Sequence, residues 1–292
     1  MALRKTSVGE MLAILGGLGA ALAWTATTLV ASRASRLIDA WSLLATVMTV
    51  GLLVSAPVAA IAGVPSGLNR HSFGWLAVSG MANVAGLLLT YAALSVGKVG
   101  VVAPVTSTEG AVAAVIAVIA GEQLPGGTVA TLVAVAAGVA LAAHTPAVDG
   151  RVPRSEVRAV VLAAGAALSF GLGLYSTGRV GQTLGVAWAA LPPRAVGVVV
   201  IALPLLLTRR WRMTRDALPY AVAGGLCEVL GFTSYAFGAR HGLAVAAVLA
   251  SQFAGIAAVA SFFLFRERLT RVQVTGVVAI VCGVSVLSAL HR

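Results

Sequence analysis

Charge is what this chain has least of. Only 10% of its 292 residues are Asp, Glu, Lys or Arg, against 59% apolar, and its mean hydropathy is +0.99. A soluble domain carries about a quarter charged residues, so too few polar groups exist here to cover a water-facing surface. Cysteine is nearly absent: Cys227 and Cys282 lie inside apolar segments, 55 residues apart. That spacing excludes a zinc pair or a secreted disulfide framework, and both read as small packing residues. The four histidines (His71, His144, His241, His291) are scattered at segment ends, and no HExxH, GxSxG or phosphate-binding loop occurs. Metal, cofactor and hydrolase chemistry therefore have no motif to stand on, and neither a cofactor nor an enzyme activity is expected.

What is present is long apolar runs. Segments of about 18–24 residues recur along the whole length, enough for a helix to cross a hydrocarbon core of ~30 Å. Breaks at charges, Pro and Gly give ten candidate spans, near 9–31, 39–61, 72–95, 99–120, 127–144, 157–178, 184–207, 217–239, 242–265 and 271–290. The first is too long for a signal-peptide core and has no small-x-small cleavage site, so it reads as a retained span. The formal charge of +11 sits in clusters at span ends, such as Arg209, Arg210, Arg212 and Arg215. That is the pattern of loops on an anionic membrane surface, not of a nucleic-acid-binding stripe.

The polar stretch "HTPAVDGRVPRSEVR", residues 144–158, is the natural linker between two halves, 1–146 and 147–292. The halves resemble each other. Gly80 and Tyr91 recur as Gly224 and Tyr235, "GEQL" at 121–124 recurs as "RERL" at 266–269, and "GAALAW" at 19–24 matches "GAALSF" at 165–170. With five spans per copy, an odd number, the second copy must enter the membrane upside-down. The expectation is an all-α integral membrane protein of ten transmembrane helices, two inverted five-helix repeats around a central cavity, the plan of many secondary transporters.

The segment "ERLTRVQVTGVVAIVCGVSVL", residues 267–287, resembles the last-helix signature of EamA-type proteins in the drug/metabolite transporter superfamily: a Glu at a span end, Leu-Thr, a Gln, then Gly276 and Gly283. The first half carries a looser version, with Glu122, Leu124 and Gly138 kept and Pro125 in place of the Thr. The resemblance covers essentially the whole chain. It implies a ten-helix fold with a central cavity, transport (often export) of small metabolites, amino acids or drugs, and termini in the cytoplasm.

Most carboxylates lie at span ends: Glu10, Asp39, Glu122, Asp149, Glu156, Asp216 and Glu267. Glu109 and Glu228 lie about ten residues inside their spans, and Arg194 is similarly deep. Each costs about 2.5–3.5 kcal/mol at the membrane centre. Facing lipid, the three would cost on the order of 7–10 kcal/mol, as much as a whole domain's net stability. They must face a wet cavity, pair with one another or, for the glutamates, hold a proton. Burial disfavours a carboxylate's charged form and a neighbouring guanidinium favours it. The sequence leaves open a fixed ion pair between helices and a substrate- or proton-binding site.

Gly224, Glu228, Gly231 and Tyr235 share one face of span eight, whose glycines admit a close neighbour or leave room for a ligand. Thr106, Glu109 and Ala113 share a small polar face in span four. Pro104, and Pro192 with Pro193, are expected to open the backbone beside these groups. Asn83, Tyr91, Tyr175, Trp24, Tyr235, Ser251 and Gln252 are further lining candidates. For the amides an interhelical hydrogen bond and cavity lining weigh equally, and for the aromatics a packing or interfacial anchor is the plainer reading.

Thirteen Lys and Arg fall in the loops after odd-numbered spans and six at the termini and remaining loops. The positive-inside rule therefore places both termini outside, against the resemblance. The expected function is secondary transport: export of small metabolites or amino acids, coupled to protons, in a bacterial plasma membrane, by alternating access between the halves. Glu109 and Glu228 would take protons or a substrate amine, and Arg194 a substrate carboxylate. Efflux of a lipophilic cation is the alternative, and an intramembrane enzyme with Glu109 and Glu228 as acid and base a weaker one. The partners this implies are the lipid bilayer, a small-molecule substrate and protons, with no nucleic acid.

Overall fold

In a computed structural model of the chain, residues 8–65, 68–121, 134, 137–138, 141, 153–180, 186–250, 252–266 and 269–290 are described. These are helical, with no strand among them. In order they form α1 (Val8–Ala34), α2 (Ala40–Ala62), α3 (Arg70–Val96), α4 (Val99–Thr106), α5 (Glu109–Ile119), α6 (Arg154–Val180), α7 (Val186–Gly197), α8 (Leu203–Leu207), α9 (Leu218–Ala250), α10 (Phe253–Phe265) and α11 (Arg271–Leu290). Five stretches are long and apolar enough to cross a membrane: Met11–Ala34, Ala40–Ala62, Arg70–Val96, Arg154–Ser176 and Leu218–Gly238. Shorter apolar helices follow the other expected spans. The fifth expected span, 127–144, lies outside the described residues except for 134, 137, 138 and 141, which are helical.

Local chemistry starts the helices where the sequence allows. Asp39 caps α2, accepting from the Ser42 amide at 2.9 Å and its hydroxyl at 2.8 Å. Asn69 caps α3 from the Ser72 amide. The Thr and Gln of the "LTRVQ" signature form a reciprocal capping box ahead of α11. The Thr270 amide donates to Gln273 Oε1 at 3.0 Å, and the Gln273 amide to Thr270 Oγ1 at 3.3 Å.

Four spans depart from expectation. Span four is broken: α4 ends at Thr106 and α5 starts at Glu109. Ser107 and Thr108 turn their hydroxyls onto the carbonyls of Pro104 and Val105 at 2.8 Å, which replaces the helical bonds an apolar surrounding cannot supply. Span eight runs on into the start of span nine as one continuous helix, α9, of 33 residues, and the rest of span nine is α10. The 18 residues from Tyr235, midway along α9, to Phe253, just past its end, would span ~27 Å in a straight helix, yet Trp24 on α1 meets both, at 6.0 and 6.1 Å. The chain therefore folds back within α9. Span seven passes through Pro192 and Pro193 unbroken. It opens only downstream, in a π-helical turn over Val198–Ala202, where the Leu203 amide bonds back to the Val198 carbonyl. The cause is Pro204, which has no N–H to give and needs a widened turn ahead of it.

The packing crosses the halves. The most extensive interfaces join α1 to α9 and α3 to α6. Gly16 lies against the Gly238 backbone, and Gly231 against the Trp24 indole, where an added Cβ would come within 2.5 Å of Nε1. Phe170 of α6 fills the matching place over Gly86 of α3, also at 2.5 Å. The contacts at helix ends define two faces. Where α1 ends, Arg36 donates to the Gly97 carbonyl at 3.2 Å, Lys98 pairs with Glu156 at 3.6 Å, and the Trp211 indole donates to Thr46 at 3.2 Å. On the opposite face Trp188 donates to the Gly63 carbonyl at 2.7 Å, and Trp75 meets Tyr175 edge-on at 6.1 Å. Around the sides, large apolar groups such as Leu22, Leu53, Leu168, Leu206 and Phe263 point outward, a surface suited to lipid.

Candidate functional site

Arg194, on α7, is the largest of the fully buried side chains among the described residues, 1% exposed. It lies beside Gly51, the twelfth residue of the 23-residue α2, where an added Cβ would come within 2.8 Å of Arg194 Cγ. That puts the guanidinium ~17 Å from either end of α2, at mid-depth. Glu228 of α9, 5% exposed, faces it, with Oε1 3.6 Å from Nη2. The charges attract, but the separation exceeds the 2.7–2.9 Å of a charge-assisted hydrogen bond. Among the described residues neither Nη1 nor Nη2 has a hydrogen-bond partner. The other support is Phe232, one turn beyond Glu228, whose ring centroid lies 4.4 Å from Cζ of Arg194.

Two more polar atoms of the buried interior are without partners. The Tyr91 hydroxyl, on a side chain 1% exposed, is within Coulombic reach of both Glu228 and Arg194. Asn83 Oδ1 lies one turn from Gly80, which packs on Val196 and the Pro192 carbonyl of α7. A buried donor or acceptor left unpaired costs about 1–3 kcal/mol, more if charged. Unpaired buried groups of this kind are few in native interiors, and each calls for a partner such as an ordered water, an ion or a ligand.

Glu109 is half-buried and within Coulombic reach of Glu228 and Tyr235. It is not in mid-helix, as its place in an unbroken span would have it, but the first residue of α5. The break also splits its expected shared face with Thr106, which stays on α4 and donates to the Val102 carbonyl at 2.8 Å. An aromatic group closes the site toward α1: Trp24 meets Phe232 at 5.5 Å, Tyr235 at 6.0 Å and Phe253 at 6.1 Å. Gln252 stands half-buried at the start of α10. Ser251 lies outside the described residues, as do Glu122 and Glu267. Tyr175 is elsewhere, packed against Trp75 on the outer face.

The expected central cavity is closed here. Side chains from α2, α3, α7 and α9 pack directly around the ion pair, and its members are all but inaccessible. A groove of about 240 Å³ lies between α2 and α7, but Ala56, Ala59, Gly63, Trp188 and Leu191 wall it, away from the charges. Two contributors were not legible beforehand, Gly51 and Phe232. Gly51 has only a weak signal in sequence, a glycine midway through the apolar run "VMTVGLLV".

No curated protein matches the chain significantly. Among solved structures, one described only as "Crystal structure of protein" superimposes with a TM-score of 0.61 at 19% identity, covering 94% of this chain and 95% of that one. At that identity the likeness establishes the fold alone. The family described as "EamA-like transporter family" matches over residues 11–143, the first of the two expected halves. This is a multi-pass membrane protein, and its residues 11–143 are similar to the EamA-like transporter family.

Proposed function

We propose that the chain is a secondary active transporter that exports small metabolites or amino acids by alternating access, with protons as the coupling ion, and that Arg194, Glu228 and Glu109 form its binding site. The observation that carries this reading is the buried guanidinium with two unbonded nitrogens. A ligand carboxylate would satisfy Nη1 and Nη2, displace Glu228 from its 3.6 Å partner, and leave that carboxylate to take up a proton. Glu109 and the aromatic group of Trp24, Phe232 and Tyr235 suit the ammonium end of a zwitterion. Binding one form of ligand and proton at a time is what couples their movements.

Recurrent features along the chain support the reading of ten spans in two inverted repeats that this mechanism uses. Breaks and caps recur at a nearly constant interval: α5 begins at Glu109 and α10 at Phe253, and left-handed residues close helices at Gly63 and Arg209, and at Gly121 and Arg266. Trp24 over Gly231 and Phe170 over Gly86 are the same contact seen from each repeat. Because first and third helices exchange partners, the halves 1–146 and 147–292 are interlocked repeats. The closed interior corresponds to an occluded state, which every alternating-access cycle must visit.

The aromatic group beside two glutamates favours one second reading, efflux of a lipophilic cation. Reconstituted vesicles with an imposed pH gradient distinguish the two. Zwitterion transport should fail in both Arg194→Lys and Glu228→Gln. Cation efflux should fail in Glu228→Gln and survive Arg194→Lys. Full activity in Glu228→Gln contradicts both.

A further inference from the structure

Among the described residues, two non-glycine residues take a left-handed backbone, Arg209 and Arg266, each with φ of 54°. Both end helices. The corresponding ends in the other repeat are closed by Gly63 and Gly121, with φ of 72° and 95°. All four ends share a positive φ, although Gly63 pairs it with an extended ψ of 171° and Arg266 with 32°. Glycine suits a positive φ, because a Cβ in this conformation crowds the neighbouring carbonyl. Arginine does not, so the backbone gives no reason for it. Location does: the glycines lie on the face of Trp188 and Tyr175, the arginines on the face where α1 ends.

That second face is basic well beyond these two. Arg210, Arg212, Arg215 and Arg271 are exposed there as well. Of its described carboxylates, Asp39 is engaged in capping α2 and Glu156 in pairing with Lys98, which leaves Asp216 exposed. The end-to-end contacts rule out a miscounted span as the source of the asymmetry. Arg36 on Gly97, Trp211 on Thr46 and Leu269 against Gly100 hold the ends of α1, α3, α8 and α10 on one side. We infer that this basic face docks on the anionic phospholipid headgroups of the cytoplasmic leaflet, so that the chain sits with both termini outside, opposite to the orientation its family resemblance implies. Each arginine near an anionic surface contributes roughly a fivefold preference for it, and the exposed set acts together. The inference concerns orientation and stands apart from what the buried site carries.

Two reporters fused in separate full-length proteins after Arg292 test it in a bacterial host: alkaline phosphatase, active only outside, and a green fluorescent protein, bright only inside. The phosphatase fusion should be active and the fluorescent fusion dark. Neutralising the densest cluster (Arg209→Gly, Arg210→Gln, Arg212→Gln, Arg215→Gln) should change the ratio of the two signals by at least about tenfold toward the opposite orientation. Glycine at 209 keeps the left-handed cap, and a companion with lysine at 210, 212 and 215 should orient as the parent does. The purified parent should also melt at a higher temperature in vesicles containing phosphatidylglycerol than in pure phosphatidylcholine, and the neutralised protein should lose that difference. A bright fluorescent fusion with a silent phosphatase overturns the inference, as does an unchanged signal ratio or lipid effect in the neutralised protein.

Discussion

The two proposed repeats, 1–146 and 147–292, match in where their helices break and end, and differ in chemistry. In one, left-handed helix ends are glycines, Gly63 and Gly121; in the other they are arginines, Arg209 and Arg266. The broken span restarts on Glu109 in the first repeat and on Phe253 in the second. The ion pair is equally one-sided, since both Arg194 and Glu228 belong to the second repeat. Geometry that both copies need, such as an aromatic over a glycine, is retained in each. In the proposed arrangement charge is free to diverge, because each copy would meet a different membrane face and a different side of the substrate. A transporter built from equal halves has no preferred direction, and these differences are where direction and coupling can enter.

The comparison breaks most severely at the ion pair. Glu228→Leu leaves a buried guanidinium uncompensated and should destabilise the protein by about 3–5 kcal/mol, read as a large fall in melting temperature in detergent. Adding Arg194→Met should recover most of that stability with transport still absent, separating the pair's function from its contribution to folding. The aromatic–glycine contacts come next. Gly231→Val and Gly86→Val should each cost about 1–3 kcal/mol through overpacking against Trp24 and Phe170. Similar losses would show that the contacts are equivalent, and a large difference would break the symmetry argument. Glu109→Gln should keep the fold and flatten the pH dependence of transport, whereas Phe253→Leu should leave that dependence unchanged. The smallest effect belongs to the helix ends: Arg266→Gly should stabilise, and Gly63→Ala destabilise, by about 1 kcal/mol each in thermal melts.

Much of this was legible beforehand, for physical reasons. Arg194 and Glu228 stand out because a charge deep in an apolar run has few inexpensive explanations, and the structure brings them together. Trp24 was visible as a lining candidate, but its role as the plug over Gly231 was not. The break before Glu109 was hidden because the Thr106, Ser107 and Thr108 of "PVTSTEG" also suit the polar face of an unbroken helix, and nothing in the sequence shows that their hydroxyls bond to carbonyls. Pro192 and Pro193 suggested an opening that Pro204 makes instead, since a proline's effect depends on whether the helix ahead of it can widen. Gly51 was lost among 33 glycines. Only the approach of Arg194 gives it meaning.

The central claim is that the Arg194–Glu228 pair is the site where substrate and proton exchange. Its most direct test is uptake of labelled amino acids into vesicles holding the purified protein, driven by an imposed pH gradient. The parent should accumulate at least one zwitterionic amino acid against its gradient, and Glu228→Gln, equally well inserted, should not respond to pH at all. Undiminished pH-driven accumulation by Glu228→Gln would contradict the account.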